Sequence, residues 1–144
     1  MTSTLVKIIG NIDKIMIEQI EAVEEFHRVF KSPIGDRPQL ISKERGLLRW
    51  DLMEEENAEY IEAVNEENLV EVADALGDML YILCGTILSH GMQNKIHEVF
   101  EEIQRSNMSK LGNDGKPIYR DDGKVMKGPN YFRPDIGAIL EDSY

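Results

Sequence analysis

Residues 51–94 read DLMEEENAEYIEAVNEENLVEVADALGDMLYILCGTILSHGMQN and contain eleven acidic residues but no lysine or arginine. The rest of the chain has equal numbers of acidic and basic residues, so this segment accounts for the whole formal charge of −11. Its apolar residues recur in steps of three and four, which is typical of helices. Carboxylates placed among apolar side chains are costly unless a cation neutralises them. The segment therefore predicts helices whose acidic groups need a positive partner, and a metal ion is the best candidate.

The composition indicates one soluble domain. A chain of 144 residues with 42% hydrophobic content is long enough for one core and too short for two. The single cysteine, Cys84, argues against a disulfide framework and favours a reducing compartment, so we expect a cytoplasmic protein. We see no apolar run of about 18 residues and no secretory leader, and therefore expect no membrane span. A pI near 4.7 argues against nucleic-acid binding, which needs a basic surface.

Apolar periodicity predicts four helices, separated by loops rich in glycine, proline and polar residues. Gly91 is well placed to end the third helix. Residues 65–68 form a short polar turn between the second and third helices. The four predicted helices cover about Leu5–Phe30, Ser42–Val64, Leu69–His90 and Asn94–Lys110.

The last part of the chain has a different character. Residues 116–120 and 124–127 flank an Asp-Asp-Gly sequence, which predicts a small β-hairpin with a primed turn. An isolated hairpin is only marginally stable, so we expect it to pack on the helices or on another subunit. We therefore predict a single domain over residues 1–144, with a helical core at about 5–110 and a hairpin and tail at 111–144.

Two glutamates of the second predicted helix face the expected core. On a helical wheel, Glu56 and Glu59 share the face of Leu52, whereas Glu54 points toward solvent. Acidic residues on helices usually form a solvated face, and we keep that interpretation for Glu54.

The third predicted helix carries a matching acidic stripe, formed by Glu71, Asp74 and Asp78. Since its opposite side is apolar, we expect this helix to be buried on most sides with its acids inside. Glu71 also fits a capping box that begins at Asn68. For Asp78 two alternatives stay open, an outer metal ligand or a partner of a basic residue such as Arg49. The apolar side consists of Val72, Leu76, Leu80 and Leu83.

The short turn brings the acidic pairs of the two helices to within about one helical turn of the same height. Glu56, Glu59, Glu71 and Asp74 can then converge, and they are the predicted metal ligands. Oxygen ligands alone select hard cations, Mg²⁺ first and Mn²⁺ second. The cluster has no accompanying histidine or cysteine, which argues against zinc and against a Glu-x-x-His di-iron site.

Two motifs in this segment resemble a known signature. Residues 55–59 (EENAE) resemble the E-E-x-x-E motif, and residues 71–74 (EVAD) the E-x-x-D motif, of MazG-like all-α nucleoside triphosphate pyrophosphohydrolases. That superfamily also contains dimeric dUTPases, dCTP pyrophosphatases and phosphoribosyl-ATP pyrophosphohydrolase. The resemblance covers about residues 5–110. It implies an all-α bundle of four to five helices, here with a C-terminal hairpin or loop extension.

The resemblance also implies an activity, the Mg²⁺-dependent hydrolysis of a nucleoside triphosphate at its α–β phosphoanhydride, in nucleotide-pool sanitation. Glu55 and Glu56 would then be catalytic, with Glu55 either beside the metal or acting as the base for the attacking water. Asn107 and Lys110 would hold the nucleotide. Apart from the resemblance, Lys127 could add positive charge for the phosphates, and the alternative that it belongs to a solvated hairpin stays open. Members of the superfamily generally oligomerise, which implies a homodimer or homotetramer.

Two other interpretations stay open. One is phosphoribosyl-ATP hydrolysis in histidine biosynthesis, although those enzymes are typically shorter than this chain. The other is a noncatalytic metal-binding helical oligomer. Outside the acidic cluster we expect structural roles for His27, and for Tyr131 and Phe132 in the loop after the hairpin.

Overall fold

The computed structural model describes the backbone of residues 3–141 and the side chains of residues 16–141. The all-α class is confirmed, and each predicted helix is present with ends shifted by one or two residues. A short fifth helix lies within the tail. The apolar side chains that predicted the start of the first helix, before residue 16, lie outside the described side chains. The helices are α1 (Ser3–Val29), α2 (Lys43–Asn65), α3 (Leu69–Ser89), α4 (Ile96–Met108) and α5 (Ile136–Glu141).

The chain divides into two compact units, Met1–Gln93 and Asn94–Tyr144. In the first unit, α3 packs against both α2 and α1. In the second unit, α4 packs against α5. The acidic segment lies in the first unit, so the fold of that unit positions the candidate site.

Local capping fixes where α2 and α3 begin. The side chain of Ser42 accepts a hydrogen bond from the backbone N–H of Arg45 at 3.3 Å, and Asn68 accepts one from Glu71 at 3.3 Å. Such caps satisfy backbone donors that have no partner within the helix. Between the helices, Glu67 adopts a left-handed φ of 55°. This tight turn reverses the chain, and α2 and α3 therefore run antiparallel.

Among the described side chains of the first unit, α3 contributes most of the buried apolar residues. Apart from Ala75, the buried residues of α3 lie in its last two turns, and Leu76, Leu80 and Leu83 are 51%, 40% and 44% exposed. The expectation that α3 is buried on most sides is therefore wrong for a single chain, because α1 and α2 cover only part of it. The buried apolar side chains are Ile20, Val23, Ala63, Ala75, Cys84, Ile87 and Leu88.

By length and composition, α3 also meets the criterion for a helix that could cross a membrane, with a mean hydropathy of 1.4 over its most apolar window. The central helix of a soluble protein meets the same criterion. A single such helix is weak evidence for a membrane span. The absence of membrane contact therefore stays a prediction.

The hairpin in the second unit is shorter than expected. Among the described residues, it consists of one antiparallel bridge between Tyr119 and Val125, flanked by a 2.7 Å hydrogen bond from Met126 N–H to the carbonyl of Ile118. Only Gly123 at its tip has a positive φ, 84°. The prediction of a primed turn is therefore wrong. A three-residue loop that ends in a left-handed glycine closes the bridge instead.

Candidate metal and nucleotide site

Carboxylates from α2 and α3 interact at one place in the first unit. Burial raises the pKa of Glu56, and the negative charges of Glu59, Asp78 and Asp74 raise it further. A hydrogen bond with Glu59 acts in the same direction. Because these charges come from both helices, the antiparallel pair places three further acidic groups within electrostatic reach of Glu56.

Glu56 carries the strongest sign of a missing partner. The residue is half-buried, and its Oε2 atom is buried with no hydrogen-bond partner in the part of the chain that the structure describes. A buried carboxylate oxygen that faces other carboxylates is costly unless a cation compensates it. The donor set consists of oxygen atoms alone, which suits Mg²⁺. The residues present therefore fit a magnesium ion.

The acidic side chains are near one another without forming a closed ligand set. Within residues 16–141, no three Asp, Glu, His or Cys side chains are arranged as a ready-made metal site. Like charges repel, and at least two of these groups, Glu59 and Asp74, are exposed and free to turn toward solvent. A cation would have to draw them together.

The four predicted ligands differ in position. Glu56, Glu59 and Asp74 belong to the interacting group, which also includes Asp78. Glu71 lies in the first turn of α3, where its backbone N–H donates to the cap residue Asn68. The part of the capping-box prediction that concerns Asn68 is therefore confirmed. The metal-binding roles of the four residues stay predictions.

Asp78 joins the acidic group and does not pair with Arg49. Arg49 donates from Nε to the Thr86 hydroxyl at 3.0 Å and from Nη2 to the Ile82 carbonyl at 2.8 Å. The alternative of an Asp78–Arg49 ion pair is therefore wrong, because Arg49 reaches α3 one turn beyond Asp78. The sequence indicated that Asp78 belongs to this group, because it follows Asp74 by four residues and therefore lies on the same face of the helix.

His27 is buried, with 3% of its surface exposed. Its Nδ1 lies 3.2 Å from the carbonyl of Pro33, which can only accept, so Nδ1 carries a proton. Burial lowers the pKa of His27 in spite of this hydrogen bond, and the charges of Arg49 and Arg45 lower it as well. These contacts agree with the structural role expected for His27.

The predicted nucleotide-binding residues all lie in the second unit. Asn107 is exposed near the end of α4, and Lys110 is half-buried just after it. The Nζ atom of Lys127 lies 4.7 Å from the centroid of the Tyr131 ring. Phe132 packs in a similar way under the guanidinium of Arg105, at 4.6 Å. Both aromatic rings thus have partners within their own unit, and the roles in nucleotide binding stay predictions.

Comparison with known proteins supplies the family. Residues 23–107 match the family model described as phosphoribosyl-ATP pyrophosphohydrolase. An uncharacterized protein of Acanthamoeba polyphaga mimivirus is 34% identical in an alignment of 100 residues that covers 63% of this chain. The matched part is only 38% of that protein, so the chain spans well under half the length of this curated relative.

A crystal structure from Exiguobacterium sp. 255-15, provisionally named an NTP pyrophosphohydrolase, is 30% identical. The match covers 86% of this chain and 92% of that one, with a TM-score of 0.45. The family match does not depend on this likeness, since it spans more than half of the chain and includes both acidic motifs. The protein belongs to the phosphoribosyl-ATP pyrophosphohydrolase family.

Proposed function

We propose that the protein hydrolyses a nucleoside triphosphate between its α and β phosphates and releases a monophosphate and pyrophosphate. The observation that carries this proposal is the position of Glu59, Asp74 and Asp78 within electrostatic reach of Glu56, whose buried Oε2 has no hydrogen-bond partner among the described residues. Family membership supports the same class of reaction. The sequence contains no Gly-x-x-x-x-Gly-Lys loop, so a P-loop does not hold the phosphates.

Glu56, Glu59, Glu71 and Asp74 would hold Mg²⁺, with Asp78 as a further acidic neighbour. When bound, Mg²⁺ neutralises phosphate charge and favours ionisation of the attacking water. The raised pKa of Glu56 means that this carboxyl keeps its proton to higher pH than an ordinary glutamate, and it would release that proton when a cation arrives.

Glu55 is exposed and adjacent to Glu56 on α2, so it can accept a proton from water. The oxygen of that water bonds to phosphorus as the α–β bridging bond breaks, and pyrophosphate leaves. Asn107, Lys110 and Lys127 are the proposed nucleotide-binding residues, through an amide and two cations suited to phosphate oxygens. Mn²⁺ is expected to replace Mg²⁺, because it accepts the same oxygen ligands.

The proposed setting is a cytoplasmic homodimer or homotetramer that removes unwanted nucleotides. The exposed leucines of α3 support self-association, since large apolar side chains on a helix face are stabilised by a partner surface. The family match also favours a second candidate, phosphoribosyl-ATP hydrolysis, which breaks the same bond in a larger nucleotide. The identity of the nucleotide separates the two candidates.

A substrate panel tests the proposal. The protein is incubated with ribonucleoside and deoxyribonucleoside triphosphates and with phosphoribosyl-ATP, with Mg²⁺ or with EDTA, and pyrophosphate is resolved from orthophosphate. We expect a monophosphate and pyrophosphate in the Mg²⁺ samples only. Release of orthophosphate alone would rule out α–β cleavage. Metal binding without any turnover would favour the noncatalytic interpretation.

A further inference from the structure

Three basic side chains meet on the helices of the first unit. Arg45 and Arg49 lie one turn apart on α2, and His27 approaches them from α1. Both arginines are half-buried, so part of each residue is exposed to solvent. We call these three residues the basic cluster. It has no role in the mechanism proposed above.

The positive charge of the basic cluster is not neutralised within the described part of the chain. Arg49 is held by the Thr86 hydroxyl and the Ile82 carbonyl, and both of these acceptors are neutral. Within residues 16–141, no carboxylate forms an ion pair with Arg45 or Arg49. The hydrogen bonds of Arg49 use Nε and Nη2, which leaves Nη1 available to a further acceptor.

The members of the cluster act on one another unfavourably. Burial lowers the pKa of Arg49, and the charge of Arg45 lowers it further. The same two arginines lower the pKa of His27. Such repulsion is relieved when an anion binds between the cations.

The backbone of α3 makes room for this arrangement. A Cβ atom on Gly85 would lie 2.6 Å from Nη2 of Arg49 and 2.9 Å from Nε2 of His27. The guanidinium group of Arg49 and the imidazole ring of His27 therefore both lie close to the backbone of Gly85, where a larger residue would have a side chain. Glycine weakens a helix interior by about 0.5–1 kcal/mol relative to alanine. Its presence at position 85 is explained by the space that the side chains of Arg49 and His27 need.

The basic cluster is the next layer of the helix pair beyond the acidic group. Arg49 precedes Glu56 by two helical turns on α2, which is about 10 Å along the axis. On α3, Ile82 follows Asp78 by one turn. An anion held by Arg49 would therefore lie along the same pair of helices as a metal ion held by the carboxylates.

We infer that Arg49 and Arg45 form a subsite for a pyrophosphate group, which engages the β and γ phosphates of the substrate and then the released product. Arginine suits this role because its planar donors match phosphate oxygens in pairs. The inference rests on the proposed function for its place in the reaction. The binding of pyrophosphate by itself does not require that function.

The test is calorimetric titration of the full chain in EDTA with inorganic pyrophosphate and, in parallel, with a nucleoside monophosphate. We expect pyrophosphate to bind more tightly than the monophosphate. Arg45→Gln should weaken pyrophosphate binding about tenfold, the loss expected for one charge-assisted contact. Within residues 16–141 the Arg45 side chain makes no hydrogen bond or ion pair across the helices, so this variant should fold normally. Lys43→Gln, which removes an exposed charge from the same helix, should bind like the wild type.

Arg49→Gln and Arg49→Lys extend the test, each with its thermal stability measured. Weaker binding in Arg49→Gln, with partial recovery in Arg49→Lys, supports the subsite. Unchanged affinity in both Arg45→Gln and Arg49→Gln would overturn it, as would equal binding of pyrophosphate and monophosphate by the wild type. Hydrolysis with Mg²⁺ is measured on the same wild-type preparation. Active enzyme with unchanged affinities in the variants refutes only the subsite, whereas inactive protein with the expected affinities refutes only the proposed reaction.

Discussion

Glu56 is the residue on which the metal proposal depends most directly, because its buried Oε2 has no hydrogen-bond partner among the described residues. The negative charges of Glu59, Asp78 and Asp74 act on its carboxyl, and no cation within residues 16–141 is among the groups that shift its pKa. Of the eleven acidic residues in residues 51–94, Glu56 is thus the one whose pKa is raised by burial and by neighbouring negative charge. The other acidic residues are candidates for metal binding according to how near they lie to Glu56.

Substitution of single acidic residues should distinguish those that act in the candidate site from those that lie on the surface. We expect Glu59→Gln and Asp74→Asn each to lower turnover at least about 100-fold, because each removes charge that would hold the metal and its phosphates. Glu54→Gln should retain most of the activity, since Glu54 is exposed and lies outside the interacting group. Initial rates of pyrophosphate release measure all three. Equal losses would mean that the helical wheel assigns these faces wrongly.

The protonation of Glu56 predicts how stability depends on pH. Because its pKa is raised above the ordinary 4.5, the folded, metal-free protein binds this proton more tightly than the unfolded chain does. This contribution to stability is present below the ordinary pKa and is lost as pH rises through the raised pKa. We therefore expect the thermal midpoint in EDTA to fall less between pH 4.5 and neutral pH in Glu56→Gln than in the wild type. Parallel profiles would contradict the raised pKa.

At the level of helices, the register between α2 and α3 determines which acidic side chains lie near one another. Arg49 bonds to both Ile82 and Thr86, and these contacts agree with the antiparallel register that brings Glu56 near Asp74 and Asp78. The sequence predicted the two helices and the turn between them. It also predicted the matching heights, because turn length and helical rise fix them.

Two glycines of α3 offer a matched test of this packing. Gly85→Ala should destabilise the protein by about 1–3 kcal/mol, since its Cβ would collide with Arg49 and His27. Gly77→Ala should instead stabilise it by about 0.5–1 kcal/mol, because among the described residues no atom beyond the adjoining helix backbone lies within 4 Å of that Cβ, and alanine favours helix. Urea unfolding of both variants measures the difference. A neutral or stabilising Gly85→Ala would contradict the close approach of Arg49.

For the whole molecule, the exposed face of α3 predicts self-association. We expect sedimentation to give two or four times the 16.5 kDa of one chain. Leu80→Glu should shift the protein toward monomer, because a charge on an apolar interface is costly. Leu40→Glu is the control, since Leu40 is 93% exposed in the loop before α2. A wild-type protein that sediments as a monomer would contradict the prediction.

The division into two units also belongs to this scale. The sequence predicted a single domain, with a helical core to about residue 110, and the structure instead forms compact units on either side of residues 93 and 94. Helical periodicity does not mark such a boundary, because it reports the local period of a segment and not which segments pack together. The prediction of a single domain therefore stays open.

The sequence by itself determined the helices, the turn between α2 and α3, and the family, because periodicity, caps and two spaced acidic motifs are local properties of the chain. Only the tertiary structure decided that Asp78 joins Glu56, that Arg49 bonds to α3 without an acidic partner, and that much of α3 remains exposed. These outcomes depend on which side chains share space after packing. Burial and Coulomb interaction act across distances that sequence order does not encode.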